Sequence, residues 1–230
     1  MSDDRNRSMA IIAGLRTPFC KVGGALQGAA AADLATHAFR ELLDQTKVRR
    51  EDIDEVILGC AGPDSREANI ARVAALRAGL PETTPAVTIM RNCASGMEAI
   101  ATANQKMCAG EGEVFLVGGT ESMSNFPLMM GPQLVRFFTR LSKARSVPQR
   151  LRALMSFRPS SLKPRIAIME GLTDPTTGLM MGNTAELVAQ RFGIDRAAMD
   201  AYALQSHQRA AAANAADRFT REIAPIISPP

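Results

Sequence analysis

The residues of this 230-residue chain best suited to chemistry lie in Arg91-Asn92-Cys93-Ala94-Ser95-Gly96-Met97-Glu98-Ala99. Ahead of them, Pro85-Ala86-Val87-Thr88-Ile89-Met90 is a short, partly β-branched run that predicts a buried strand. Behind the cysteine, Ser95 and Glu98 have the S-x-x-E spacing of a capping box. Ile100, Ala103 and Met107 then fall at i, i+3 and i+7, and Gly110 lies where a left-handed stop residue would sit. Strand, cysteine and helix in that order put the Cys93 sulfur at the positive end of a helix. Free backbone N–H groups and aligned peptide dipoles at such a place favour a thiolate, the nucleophilic form of the side chain. On position alone the competing reading is a small core hydrophobe, the usual fate of an unpaired cysteine.

Cys20, Cys60 and Cys108 are scattered, without C-x-x-C spacing or the density of a disulfide framework, so neither a structural zinc site nor a stapled fold is expected. Packing roles are expected for all three, as Cys60 ends an apolar run and Cys108 closes a helix. His37 and His207 fall on amphipathic helices as surface or packing residues. No permanently bound cofactor and no metal is expected.

The elements that must position Cys93 follow from periodicity. Apolar runs at Met9-Ala10-Ile11-Ile12-Ala13, Val56-Ile57-Leu58, 85–90 and Glu113-Val114-Phe115-Leu116-Val117 alternate with helical stripes. One stripe is Leu34, Ala38 and Leu42, the second is Ile70, Val73, Ala74 and Leu76, and the third is the helix behind Cys93. The predicted order is βαβαβαβ, an α/β fold with a mostly parallel sheet layered by helices and ligands at the carboxyl ends of its strands. Residues 1–120 form this domain and 121–230 a second, α-rich one. In the latter, Asn183–Phe192 and Asp195–Ala216 read as helices separated by Gly193, with Met199, Tyr202, Ala203 and Ala210 on one side of the second.

Composition is that of an ordinary globular protein, 46% hydrophobic and 22% charged, with no run near the 18 apolar residues a membrane span needs. The start, Met1-Ser2-Asp3-Asp4-Arg5-Asn6-Arg7, lacks the apolar region of a secretory signal, so a cytoplasmic location is expected. No Trp and a single Tyr202 argue against a surface that stacks bases, and no nucleic-acid partner is expected.

Charge is distributed unevenly. Nine of the 27 basic residues and none of the 23 acidic ones fall between Glu121 and Glu170. Leu134, Val135, Phe137, Phe138 and Leu141 interleave with these cations, as do Leu151, Leu154, Met155 and Phe157 after Pro148. Two short basic amphipathic helices are predicted within about 128–168. Over 134–165 they suit an acidic membrane surface, an acidic partner or the phosphates of coenzyme A, or else a solvated excursion packed on the body.

The Cys93 stretch, followed by Val117-Gly118-Gly119-Thr120-Glu121-Ser122-Met123-Ser124, closely resembles the acyl-enzyme cysteine motif and glycine turn of the thiolase family. Arg16-Thr17-Pro18-Phe19 with Gly23-Gly24-Ala25-Leu26, Met181-Gly182-Asn183-Thr184-Ala185-Glu186, and Glu222-Ile223-Ala224-Pro225 agree with it. The Asn92 neighbour and the Gly-Met-Glu-Ala continuation separate it from ketoacyl synthases. The basic segment, Ser146-Val147-Pro148-Gln149-Arg150-Leu151-Arg152 above all, is similar to the insertion of thiolase subunits of the fatty-acid oxidation complex.

The resemblance implies thiolytic cleavage of 3-ketoacyl-CoA to acetyl-CoA and a shortened acyl-CoA in fatty-acid β-oxidation. Cys93 would carry the acyl group, coenzyme A would be co-substrate, and Met181 would lie along the pantetheine tunnel. It also implies a homodimer for the full-length family and an α-subunit partner. It covers only the first half of a thiolase. The family's base histidine in Gly-His-Pro, its second cysteine in Cys-x-Gly-Gly-Gly and its Asn-Glu-Ala-Phe-Ala loop do not occur in this chain. The second thiolase domain is therefore expected to be absent and the isolated chain inactive. The alternative reading is a non-catalytic remnant that binds a membrane or partner through its basic segment.

Overall fold

The computed structural model describes residues 9–226, so the polar start at 1–7 lies outside the described residues. The chain divides into two compact units, one made of residues up to Asn125 together with those from His207, the other of Phe126–Ser206. The stretch from His207 thus belongs with the first unit, whereas the sequence reading put all of 121–230 in one domain.

In the first unit α1 (Ala31–Thr46), β1 (Glu55–Gly59), α2 (Ile70–Arg77), β2 (Ala86–Ile89), α3 (Ser95–Cys108) and β3 (Phe115–Gly119) alternate along the chain. The strands form a parallel sheet in the order β2-β1-β3, with Leu58 opposite Thr88 on one side and Gly118 on the other. The layered parallel α/β arrangement is the one expected. The leading strand is not: Met9–Ala13 joins no ladder, and Ile11 and Ile12 are 73% and 80% exposed. An apolar run becomes a strand only where a neighbouring strand accepts its N–H and C=O groups, and none pairs with this one among the described residues.

Alternation along β1 divides the core between the two faces of the sheet. Val56 and Leu58 pack with the buried sides of α1 and α2, including Phe39, Leu43, Ile70 and Ala74. Ile57 points the other way, onto Ala99 and Ala103 of α3. The stripe that α1 buries is Ala32, Ala35, Phe39 and Leu43 rather than the predicted Leu34, Ala38 and Leu42, which stay half-buried. The helix turns its one aromatic ring inward, and that rotation outweighs the burial of two leucines. Likewise α2 buries Ile70, Ala71, Ala74 and Ala75 and leaves Leu76 exposed.

The entry to the sheet is fixed by Asp54, whose carboxylate accepts the N–H groups of Glu113 at 2.7 Å and Val114 at 2.9 Å. These two backbone donors hold the Asp54 carboxyl below the usual carboxylate range. Because the native state favours its ionised form, its stabilising effect is complete above the unfolded value of about 3.9 and fades as pH falls through the lower native one. The side chain is exposed, so Asp54→Ala should cost about 1 kcal/mol at neutral pH, less than a buried charged hydrogen bond. Urea unfolding at neutral pH and at about pH 3 checks this, with the gap to wild type narrowing in acid.

In the second unit β4 (Leu128–Met129) and β5 (Arg165–Ile166) form a two-residue antiparallel ladder. Between them lie α4 (Pro132–Lys143) and α5 (Val147–Met155), the two basic amphipathic helices expected. Pro132 and Pro148 occupy the first turns of these helices, where a missing N–H costs nothing, and Ser146 with Gln149 closes a capping box on α5. α6 (Ala167–Gly171) and α7 (Met181–Phe192) follow. Gly193, at φ 64°, ends α7 in the left-handed conformation, and α8 (Arg196–Ala215) runs across the boundary between the units. α8 shows no buried residue, so the side of it holding Met199 and Tyr202 covers no core.

Candidate active site at the β2–α3 turn

β2 ends at Ile89 and α3 begins at Ser95, leaving five residues in which the chain must reverse direction. Asn92 makes that possible by adopting φ 45°, the left-handed region that asparagine tolerates better than most residues. Cys93 follows it and is exposed, two positions ahead of the first helical residue.

Ser95 locks the turn, although not as the predicted capping box. It is buried as the first residue of the helix. Its hydroxyl accepts the Arg91 N–H at 2.8 Å and donates to the Asn92 carbonyl at 2.6 Å. The Ser95 and Ala94 N–H groups reach back to the carbonyls of Asn92 and Arg91 at 3.1 and 3.0 Å. Glu98 pairs instead with the Arg91 guanidinium at 2.6 Å. The chain before the helix curls so tightly that the serine faces backward along it, and the glutamate is free to take a charge partner.

Three glycines seat this turn on the sheet. A Cβ on Gly59, at the carboxyl end of β1, would lie 2.3 Å from the Ser95 carbonyl carbon and 2.6 Å from the Gly96 nitrogen. One on Gly119, at the end of β3, would lie 3.1 Å from the Gly96 Cα. The helix start therefore rests directly on the ends of two strands, backbone against backbone. Gly119, in the glycine turn quoted from the sequence, makes a close backbone approach to the site. Gly59 was not singled out, although the endings Val-Ile-Leu-Gly of β1 and Leu-Val-Gly-Gly of β3 carry the same signal.

Polar residues after β3 tie down the neighbouring loops. The Glu121 carboxylate accepts the N–H groups of Ala61 at 2.9 Å and Gly62 at 3.1 Å. Thr120, Ser122 and Asn125 donate to the Ala31 and Ala29 carbonyls at 2.7 to 2.9 Å. Sequence reasoning quoted this block as a motif without assigning it that work.

The other candidates part company. Cys60 is buried as expected, its Sγ 3.6 Å from the Glu121 carboxylate. Burial, helped by that negative charge, pushes its thiol up to about 11, so it stays protonated at neutral pH. Cys20 and Cys108 are exposed rather than packed in the core. His37 is half-buried on α1 with its Nε2 unpartnered, and α1 packs on the face of the sheet opposite α3. His207 is exposed on α8. Met181, half exposed, opens α7 in the second unit.

Two of the outer sequence blocks meet despite their separation. Arg16 and Ile223 form a parallel bridge, with the Arg16 N–H on the Glu222 carbonyl at 2.7 Å and the Ala224 N–H on the Arg16 carbonyl at 2.8 Å. The Arg16 guanidinium binds the Glu222 carboxylate at 2.7 Å and lies over the rings of Phe19 and Phe219 at 4.6 and 5.4 Å. The block from Glu222 to Pro225 thus anchors the amino-terminal segment.

The parallel α/β layer thus presents a solvent-accessible cysteine between a strand's carboxyl end and a helix. Residues 9–229 match the family model described as thiolase, N-terminal domain, and the chain belongs to the thiolase family. It is 40% identical over 221 residues to the mitochondrial 3-ketoacyl-CoA thiolase of Mus musculus, covering 96% of this chain and 51% of that protein. It is 38% identical to the acetyl-CoA acetyltransferase of Chromobacterium violaceum, covering 96% and 52%. The crystal structure of human mitochondrial 3-ketoacyl-CoA thiolase in complex with CoA superposes with a TM-score of 0.78 at 38% identity, covering 94% of this chain and 50% of that one. The chain spans about half the length of the curated relatives it matches. No helix among the described residues is long and apolar enough to cross a membrane.

Proposed function

We propose that this chain supplies the nucleophile of a thiolase-type acyltransferase that cleaves 3-ketoacyl-CoA in fatty-acid degradation, with Cys93 as the acyl carrier. The carrying observation is the exposure of Cys93 at the β2–α3 turn, directly ahead of a helix start. The 3-ketoacyl-CoA thiolases among the relatives support the substrate class, and the CoA complex of the human thiolase supports coenzyme A as co-substrate.

The Cys93 sulfur, as thiolate, adds to the C3 carbonyl, and the α3 start supplies dipole and backbone donors for the oxyanion. Collapse breaks the C2–C3 bond. Its electron pair leaves on C2, which takes a proton and departs as acetyl-CoA. The thiol of a second coenzyme A then attacks the Cys93 thioester and leaves as the shortened acyl-CoA, returning the cysteine. Met181, at the start of α7, is proposed as a contact for the substrate's pantetheine arm, on its match to the family motif.

The test compares the three exposed cysteines. After brief exposure to a 3-ketoacyl-CoA, peptide mass spectrometry should find Cys93 acylated at least about tenfold more than Cys20 or Cys108, since only Cys93 has a helix start behind it. Acylation spread evenly over the three would overturn the assignment.

A further inference from the structure

We infer that Arg91 is a positioning residue for acyl transfer at Cys93, acting through Glu98, whose carboxylate it holds and neutralises beside the site. The inference rests on Cys93 as the acyl carrier and concerns two residues outside the covalent steps. They lie on either side of the cysteine in sequence, and the Arg91 Nη1 meets the Glu98 Oε2 at 2.6 Å. Their ion pair therefore closes the turn that presents Cys93.

Glu98 stands in the first turn of α3, where a carboxylate steadies a helix against its own dipole. The same helix start is where acyl transfer gathers negative charge, on the oxyanion formed as the sulfur adds. An unpaired carboxylate there helps the helix and opposes the reaction. Its side chain is only 23% exposed, so water screens it poorly, and among the described residues no cation other than Arg91 pairs with it.

The backbone delivers Arg91 to this task. Its N–H donates to the Ser95 hydroxyl at 2.8 Å and its carbonyl accepts the Ala94 N–H at 3.0 Å, so the root of the side chain is fixed on the turn. From there the side chain, 66% exposed, reaches forward to the carboxylate on α3. An ion pair so open to water adds little to stability. Its consequence is electrostatic, one cation cancelling one anion where the reaction has no use for the anion.

Acetylation of Cys93 by p-nitrophenyl acetate, followed by peptide mass spectrometry with Cys20 and Cys108 as internal controls, tests this. The sulfur takes the acetyl group, p-nitrophenolate leaves and the thiol proton passes to solvent. Arg91→Met should react about fivefold more slowly at Cys93 alone, the effect of one uncompensated charge under partial screening. Arg91→Lys, which keeps the charge, should stay within about twofold of wild type. Glu98→Gln should be about twofold faster, and Arg91→Met/Glu98→Gln should return to within about twofold of wild type. The Arg91→Met deficit should shrink in about 1 M salt, whereas a displaced turn would be slow at any salt. The inference is overturned if Arg91→Met reacts at the wild-type rate. It is overturned equally if Glu98→Gln or the double variant is as slow as Arg91→Met, which would make the pair a purely structural strap. Because the reagent carries no coenzyme A, the two readings fail separately. A 3-ketoacyl-CoA that leaves Cys93 unacylated overturns the proposed function with this charge pattern intact, and a missing pattern beside acylation by 3-ketoacyl-CoA overturns the pair alone. No acetylation of Cys93 in any variant overturns both.

Discussion

Thiolysis of a 3-ketoacyl-CoA by this chain alone should run roughly 10²- to 10⁴-fold below that of the same chain supplied in trans with the half of a thiolase it does not span. That is the range a positioned general base contributes. A thiol transfers its proton before or as it attacks, and the later carbon–carbon cleavage needs a proton delivered to C2. Among the described residues no side chain hydrogen-bonds the Cys93 sulfur. His37 belongs to the layer on the opposite face of the sheet, and His207 is exposed on α8. The helix start offers backbone donors but cannot shuttle protons. The expected behaviour of the chain alone is therefore a slow acylation of Cys93 that halts near one equivalent. Loss of 3-ketoacyl-CoA absorbance, followed with and without the complementary half and with Cys93→Ser as control, measures both rates. Sustained turnover by the chain alone, abolished in Cys93→Ser, would show that the proton-transfer groups lie within these residues and overturn the account.

Much of the first unit was legible because its signals are local. The run ending at Ile89, the cysteine and the helix closed by Gly110, at φ 74°, are each dictated by neighbours in sequence. What escaped depends on partners far along the chain. The five residues Met9–Ala13 have strand composition, yet strand formation needs an edge to pair with, and composition does not reveal whether one is in reach. The rotation of α1 toward Phe39 is decided by which side chain best fills the space beside Leu58 and Ile70, not by the spacing of leucines. Ser95 and Glu98 have the letters of a capping box. The left-handed Asn92 moves the helix start by one residue and redirects both side chains, and a backbone dihedral of that kind is hidden in an Asn-Cys-Ala string. Gly59 was passed over for a related reason, since its necessity comes from residues 95 and 96, whose proximity only the folded chain reveals.

Those glycines also yield a graded expectation in stability. Gly59→Ala should destabilise the first unit by about 3 kcal/mol or more, the upper end of overpacking, because the added methyl would meet atoms that cannot rotate aside. Its nearest neighbours would be the Ser95 carbonyl carbon at 2.3 Å, the Ser95 oxygen at 2.4 Å and the Gly96 nitrogen at 2.6 Å, all backbone. Relief requires α3 to lift off the end of β1, which breaks the contact of Ala99 and Ala103 with Ile57 and moves the turn that holds Cys93. Gly119→Ala brings its methyl to 3.1 Å from the Gly96 Cα, a contact relieved by a shift of a few tenths of an ångström, and should cost about 1 kcal/mol. Gly96→Ala meets nothing closer than 3.7 Å and replaces a helical glycine, so it should be neutral or stabilising by up to about 1 kcal/mol. Urea midpoints for the three variants measure the series, and the rate of thiol titration with a chromogenic disulfide reagent reports whether Cys93 has moved. The order matters more than any single value. If Gly59→Ala proved as mild as Gly96→Ala, the backbone seat would not exist, and the position of Cys93 would need another physical cause.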